Sequence, residues 1–142
     1  MIMPDMNELP SIVEYSVDIS NQEEPEPLPA REYTGVIRSA AQRLSQKSTK
    51  YGEVAFFIDA DQYPADYTEG NPEGMTLFYR RVSLEDNPMA RYNTKKFCEA
   101  VGAPTGKKLD LSEWVGLEAT VEVNHETYEG SRRAVISRVR AA

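Results

Sequence analysis

The stretch Arg31 to Asp61, R-E-Y-T-G-V-I-R-S-A-A-Q-R-L-S-Q-K-S-T-K-Y-G-E-V-A-F-F-I-D-A-D, constrains the fold more than any other. It holds two extended runs joined by a short basic loop over Gln46 to Gly52. In the second run Val54, Phe56 and Ile58 recur at period two, the pattern of a strand with one buried face. In the first, the alternation begun by Gly35 and Ile37 slips at Ser39, Ala40 and Ala41, which predicts a bulge or bend rather than a flat strand. A long, bent strand paired with a second across a basic tip is a common start for a small closed barrel.

Downstream, Asp61 to Gly74 is rich in turn formers and carries Tyr63 and Tyr67, so it reads as a surface excursion whose rings stack on a ligand or fold back on the body. Met75 to Leu84 predicts a third strand with Leu77 and Tyr79 on one face and Phe78, Val82 and Leu84 on the other. Asn87 as N-cap, Pro88 at the first position and Gly102 with Pro104 at the end bracket a helix. Its expected inner stripe is Met89, Tyr92, Phe97 and Val101, with Arg91, Lys95 and Lys96 outward. Trp114 marks a corner and plugs the core. Leu117, Ala119, Val121 and Val123 share one face of a fourth strand, and Arg132 to Arg140 forms the fifth. Three strands, a helix and two strands is the element order of a five-stranded oligonucleotide-binding (OB) barrel. The expected fold is therefore all-β with one helix, an OB-fold-like barrel ordered β1-β2-β3-α-β4-β5.

The chain of 142 residues, 40% of them apolar, suits one domain with a modest core. Its formal charge of -7 is unevenly placed. Residues 1–30 hold Asp5, Glu8, Glu14, Asp18, Glu23, Glu24 and Glu26 with no Lys or Arg, so the remaining sixteen acids balance all sixteen bases. The expected organisation is an acidic, proline-containing, partly disordered arm over 1–30 and an OB-fold domain over 31–142. Pro25 to Pro29 reads as an extended linker, and residues 12–19 alternate well enough to form a short strand docked on the body. The arm solubilises, covers a basic groove or carries a linear motif for a partner. Without a signal segment or a long apolar run, the expectation is a cytoplasmic protein that does not enter membranes.

Little points to catalysis, and neither enzymatic activity nor a cofactor is expected. His125 is the only histidine, and next to Glu126 on a strand it points to the opposite face, so no metal ligand cluster arises. Cys98, the single cysteine, reads as a small semi-buried residue. Ala103-Pro104-Thr105-Gly106-Lys107-Lys108 lacks the upstream glycine and the Ser or Thr of a phosphate-binding loop and follows a helix instead of a strand.

Aromatic and basic residues carry the functional expectation. Tyr51, Phe57 and Tyr79, with Phe78 as the alternative to Tyr79 beside Arg80 and Arg81, offer rings for bases, while Arg38, Arg43, Lys47, Lys50, Arg80, Arg81, Arg132 and Arg133 offer cations for phosphates. Tyr33 to Asp59, with Leu111 to Val123 and Tyr128 to Ser137, resembles the small single-stranded DNA-binding proteins of bacteriophages and prophages. The likeness lies in element order, the Lys50 to Gly52 turn, the W-V-G corner and the Y-E-G turn, and covers residues 31–140. It implies an OB fold, sequence-nonspecific single-stranded DNA binding and protection in DNA replication or recombination, and location in the host cytoplasm if phage-encoded. The expected partners are single-stranded DNA, a second copy in a homo-oligomer, and a replication or recombination protein meeting the acidic arm. The acidic tail of bacterial relatives is C-terminal, whereas this chain ends V-R-A-A. The competing expectation is a non-enzymatic structural or adaptor protein that uses the barrel for protein–protein contact or oligomerisation.

Overall fold

The computed structural model describes residues 9–142; of the predicted acidic arm, Asp5 and Glu8 lie outside the described residues. Five strands form: β1 (Glu32–Leu44), β2 (Lys50–Ile58), β3 (Met75–Ser83), β4 (Glu118–Tyr128) and β5 (Ser131–Arg140), with helix α1 (Pro88–Val101) between β3 and β4. They make one antiparallel sheet in the order β3-β2-β1-β4-β5.

The expected barrel does not close. Among the described residues β3 and β5 end the ladder and do not pair with one another, so the sheet is open and has two edges. The seam between these strands is filled by side chains instead of backbone hydrogen bonds. A cavity of about 290 Å³ there is lined by Tyr79, Arg81 and Val82 of β3, Asn93, Lys96 and Phe97 of α1, and Val139 of β5, and α1 packs against both edge strands. The five strands and the helix follow the predicted order, but the OB-fold barrel is corrected to an open sheet.

Three bulges decide which side chains reach the core. The β1 ladder shifts between Ile37 and Ser39, where the slip was expected, turning Arg38 outward and Ala40 back toward the core. In β3, Arg80 and Arg81 stand opposite the single Glu53, because Val82 pairs with Gly52 and Tyr79 with Val54. That bulge returns Val82 and Leu84 to the face of Leu77 and Tyr79. The expected second apolar face of β3 is thus reduced to Phe78, 44% exposed. In β5, Ser137 is the additional residue between Ile136 and Arg138, so Ala134, Ile136 and Val139 share the core side.

Buried Tyr33, Ile37, Val54, Phe56, Ile58, Ala119, Val121, Val123 and Ile136 line the inner face of the sheet. Helix α1 and Trp114 cover them: the rings of Tyr79 and Phe97 lie 5.8 Å apart, and those of Phe97 and Trp114 5.2 Å. Trp114 is the core plug that was expected. The helix begins with the Asn87 side chain accepting from the Ala90 N–H at 2.9 Å and ends at Gly102 in the left-handed region. Its inner stripe keeps the expected Phe97 and Val101 but not Met89 and Tyr92. Ala90, Thr94, Phe97, Cys98 and Val101 are buried, whereas Met89 and Tyr92 are exposed. Small side chains let the helix approach β3, and the Thr94 hydroxyl donates to the Ser83 carbonyl at 2.7 Å.

Candidate interaction surface

The outer face of β1, β2 and β3 gathers part of the predicted set. Phe57 faces outward from β2, opposite Val36 on β1 and Thr76 on β3, and Phe78 stands opposite Ala55. The Arg38 guanidinium, presented by the β1 bulge, lies 3.8 Å from the centre of the Phe57 ring. Arg80 lies 4.9 Å from the Phe78 ring and also donates to Glu53 at 2.8 Å. Arg43 approaches the same carboxylate at 3.6 Å. The hydrogen bond from Arg80 holds the Glu53 carboxyl below the usual carboxylate range, with the charges of Arg80 and Arg43 acting in the same direction. Gly74 makes room for the aromatic ring: a Cβ there would stand 2.4 Å from the Phe57 ring, and its φ of 101° is one that glycine adopts without strain.

The remaining predicted residues lie elsewhere. Tyr79 turns toward the core against Phe97, and burial pushes its hydroxyl pKa up. Arg81 lines the seam between the edge strands. Lys47 sits in the β1–β2 turn and Lys50 at the start of β2, both exposed, with Tyr51 half-buried opposite Arg43 and Ser83. Arg132 and Arg133 belong to β5, the other edge strand, where Arg133 pairs with Glu126 at 2.6 Å. Tyr63 and Tyr67 fold back in an edge-to-face pair 5.3 Å apart, the Tyr63 hydroxyl donating to the Asn71 carbonyl.

This arrangement corrects the mechanism of single-stranded DNA binding in a barrel groove. An open sheet supplies no barrel groove, so the resemblance to phage single-stranded DNA-binding proteins of the OB fold and the replication and recombination role that it implied lose their structural basis. The outward rings are already covered by arginines of the same chain, and Glu53 takes up two of the cations. One participant, Glu53, was missed in the predicted set, and of the two β3 rings offered as a platform the structure selects the other one. Phe78, not Tyr79, is the outward ring of β3, as its pairing opposite Ala55 sets, and Glu53 ties the arginines together. The small Ala55 opposite Phe78 was the one local sign that a ring could lie there. No protein-family model matches this chain, and no curated protein matches it.

A second surface is the arm. Residues 12–19 do not dock as the predicted strand. Leu9, Ile12, Val13, Tyr15, Val17 and Ile19 are all exposed, from 57% at Ile19 to 85% at Ile12. A short 3-10 turn follows at Ile19–Asn21, where Asp18 accepts from the Ser20 backbone and hydroxyl, bonds that lower its carboxyl pKa. Docking starts later. Ser131 donates to Glu24 at 2.5 Å, the Glu26 N–H donates to Glu69, and Leu28 is 1% exposed. A run of apolar side chains in water is thus tethered to a body that buries the chain a few residues further on. Among the described residues no group of three His, Cys, Asp or Glu could hold a metal ion, and no helix is long and apolar enough to cross a membrane.

Proposed function

We propose that this protein is a non-enzymatic interaction module, an adaptor that presents its N-terminal arm to another protein surface. The observation that carries this reading is the exposure of Ile12, Val13, Tyr15, Val17 and Ile19 together, upstream of a fully buried Leu28. Alternating apolar residues are costly to leave in water, at about 25 cal/mol per Å² of apolar surface, and contiguous apolar exposure marks interaction sites. Their interleaving with Glu14, Ser16 and Asp18 suits a strand that adds to a sheet edge, where backbone hydrogen bonds give affinity and alternate side chains give specificity. The arm's anchorage at Leu28 keeps this element at the surface of the folded body.

The test places a photo-reactive phenylalanine derivative at position 15 of the full chain in the cell that makes it, with position 107 as an exposed control. Protein adducts formed at position 15 and not at position 107 are the expected result. Irradiation that yields no adduct at position 15 would remove the reading.

A further inference from the structure

We infer that the seam between β3 and β5 is a binding site for a small organic carboxylate with an apolar body. This goes beyond the adaptor reading and does not depend on it, since no arm residue lines the site. The two edge strands approach one another without pairing, and α1 packs across both. Side chains from all three elements border about 290 Å³. That is room for about ten waters at roughly 30 Å³ each, close to the lower end of ligand pockets at about 300 Å³. Buried Val82 and Phe97, with half-buried Tyr79 and Val139, form the apolar walls.

The charged lining is of one sign. Arg81, Lys96 and Asn93 complete the cavity, and no Asp or Glu lines it. The β3 bulge gives its two arginines different surroundings: Glu53 holds Arg80 at 2.8 Å, whereas Arg81 enters no salt bridge among the described residues. Lys96 pairs with Glu99 at 3.6 Å, and both side chains are about half exposed, so the pair is weak and the ammonium is free to turn to a ligand. Asn93 stands one helical turn before Lys96 and adds an amide donor on the same side. Burial raises the Tyr79 hydroxyl pKa, so the phenol stays protonated and is a further donor. Two cations with no acid beside them favour an anion, and the apolar walls favour one with an apolar body. A carboxylate suits the guanidinium, which holds it by two parallel N–H bonds. The larger cleft of about 660 Å³ beside α1 does not fit the same ligand, because Glu85 and Asp86 line it among its cations and Asp86 pairs with Arg91 at 3.5 Å. With its carboxylate at Arg81 and Lys96 and its apolar body against Phe97 and Val139, the ligand joins two sheet edges that no backbone hydrogen bond joins.

Titration of the full chain with cinnamate, followed by NMR, tests this. Two analogues serve as controls: cinnamamide keeps the ring without the charge, and acetate keeps the charge without the ring. Cinnamate should bind saturably and at least about tenfold more tightly than either analogue, since each lacks one of the two contacts. Arg81→Gln and Lys96→Gln, both at exposed positions and each confirmed as folded by circular dichroism, should each weaken cinnamate at least about tenfold, the scale of one hydrogen bond to a charged group. The resonances of Val82, Phe97 and Val139 should shift on binding while those of Phe57 stay, which separates the seam from the Arg38 and Phe57 pair on the outer face. No cinnamate binding at millimolar concentration would overturn the inference. So would binding matched by the amide or by acetate, binding indifferent to both substitutions, or shifts centred on Phe57.

Discussion

The Nε2 of His125 lies 2.7 Å from the carbonyl oxygen of Leu28, so that nitrogen carries the proton and donates it to the arm's backbone. The Tyr33 hydroxyl donates to the next carbonyl, that of Pro29, at 2.8 Å. Together with the burial of Leu28 these bonds set where arm becomes body. Leu28→Ala should cost about 2–4 kcal/mol of stability through the lost burial and residual cavity, and His125→Ala about 1 kcal/mol. Urea denaturation measures both. A Leu28→Ala loss below about 0.5 kcal/mol, the range of ordinary surface substitutions, would show that the arm is not part of the core.

The Phe57 ring rests over Gly74, whose positive φ and missing Cβ are both required. Gly74→Ala should destabilise the protein by about 1–3 kcal/mol and displace the ring that Arg38 covers. Thermal unfolding gives the first quantity, and the shift of the Phe57 ring resonances gives the second.

Glu53 has a folded-state pKa below its unfolded value, mainly because Arg80 hydrogen-bonds the carboxylate. Its contribution is therefore present above the unfolded pKa and is lost as pH falls through the folded one. Wild type and Glu53→Gln should differ in stability at neutral pH, by less than about 1 kcal/mol for so solvent-screened a pair. The two should converge in acid below the ordinary carboxylate range. A difference unchanged down to that acid limit would show that the charge of Glu53 is not what matters.

Cys98 is fully buried on the inner side of α1, and burial raises its thiol pKa. A thiol reagent at mildly alkaline pH should label the native chain at least roughly a hundredfold more slowly than the denatured one, since the thiolate is the reacting form and access is closed. Equal labelling rates would contradict the packing of α1.

Local structure was legible wherever one residue type meets one backbone requirement. Asn87, Pro88 and Gly102 bracket α1 as expected, and Ala119, Val121 and Val123 share the buried face of β4. The slip at Ser39 was legible as the bulge it is. The bulge at Arg80 and Arg81 was not, because it depends on how β3 registers against Glu53, and it brought Val82 and Leu84 to the face of Tyr79, leaving Phe78 as the outward ring. Of the expected inner stripe of α1, Phe97 and Val101 are buried, whereas Met89 and Tyr92 were misplaced by choosing large apolar residues where close approach to β3 favours Ala90 and Thr94. Closure of the sheet lay beyond element order, which does not say whether β3 and β5 meet. Arg38, Arg43, Phe57 and Arg80 were picked out by residue type, but that they share the outer face was not legible, because it depends on the bulges, and neither was the arm's availability. The alternation of residues 12–19 fits a strand docked at home as well as one seeking a partner.

The most direct measurement of the central claim is amide hydrogen exchange on the full chain, diluted until it is monomeric. Residues 11–21 should exchange as an unprotected chain while residues 32–44 and 118–128 stay protected. Protection of residues 11–21 at that dilution would mean that the arm is folded on its own body, and the adaptor account would be wrong.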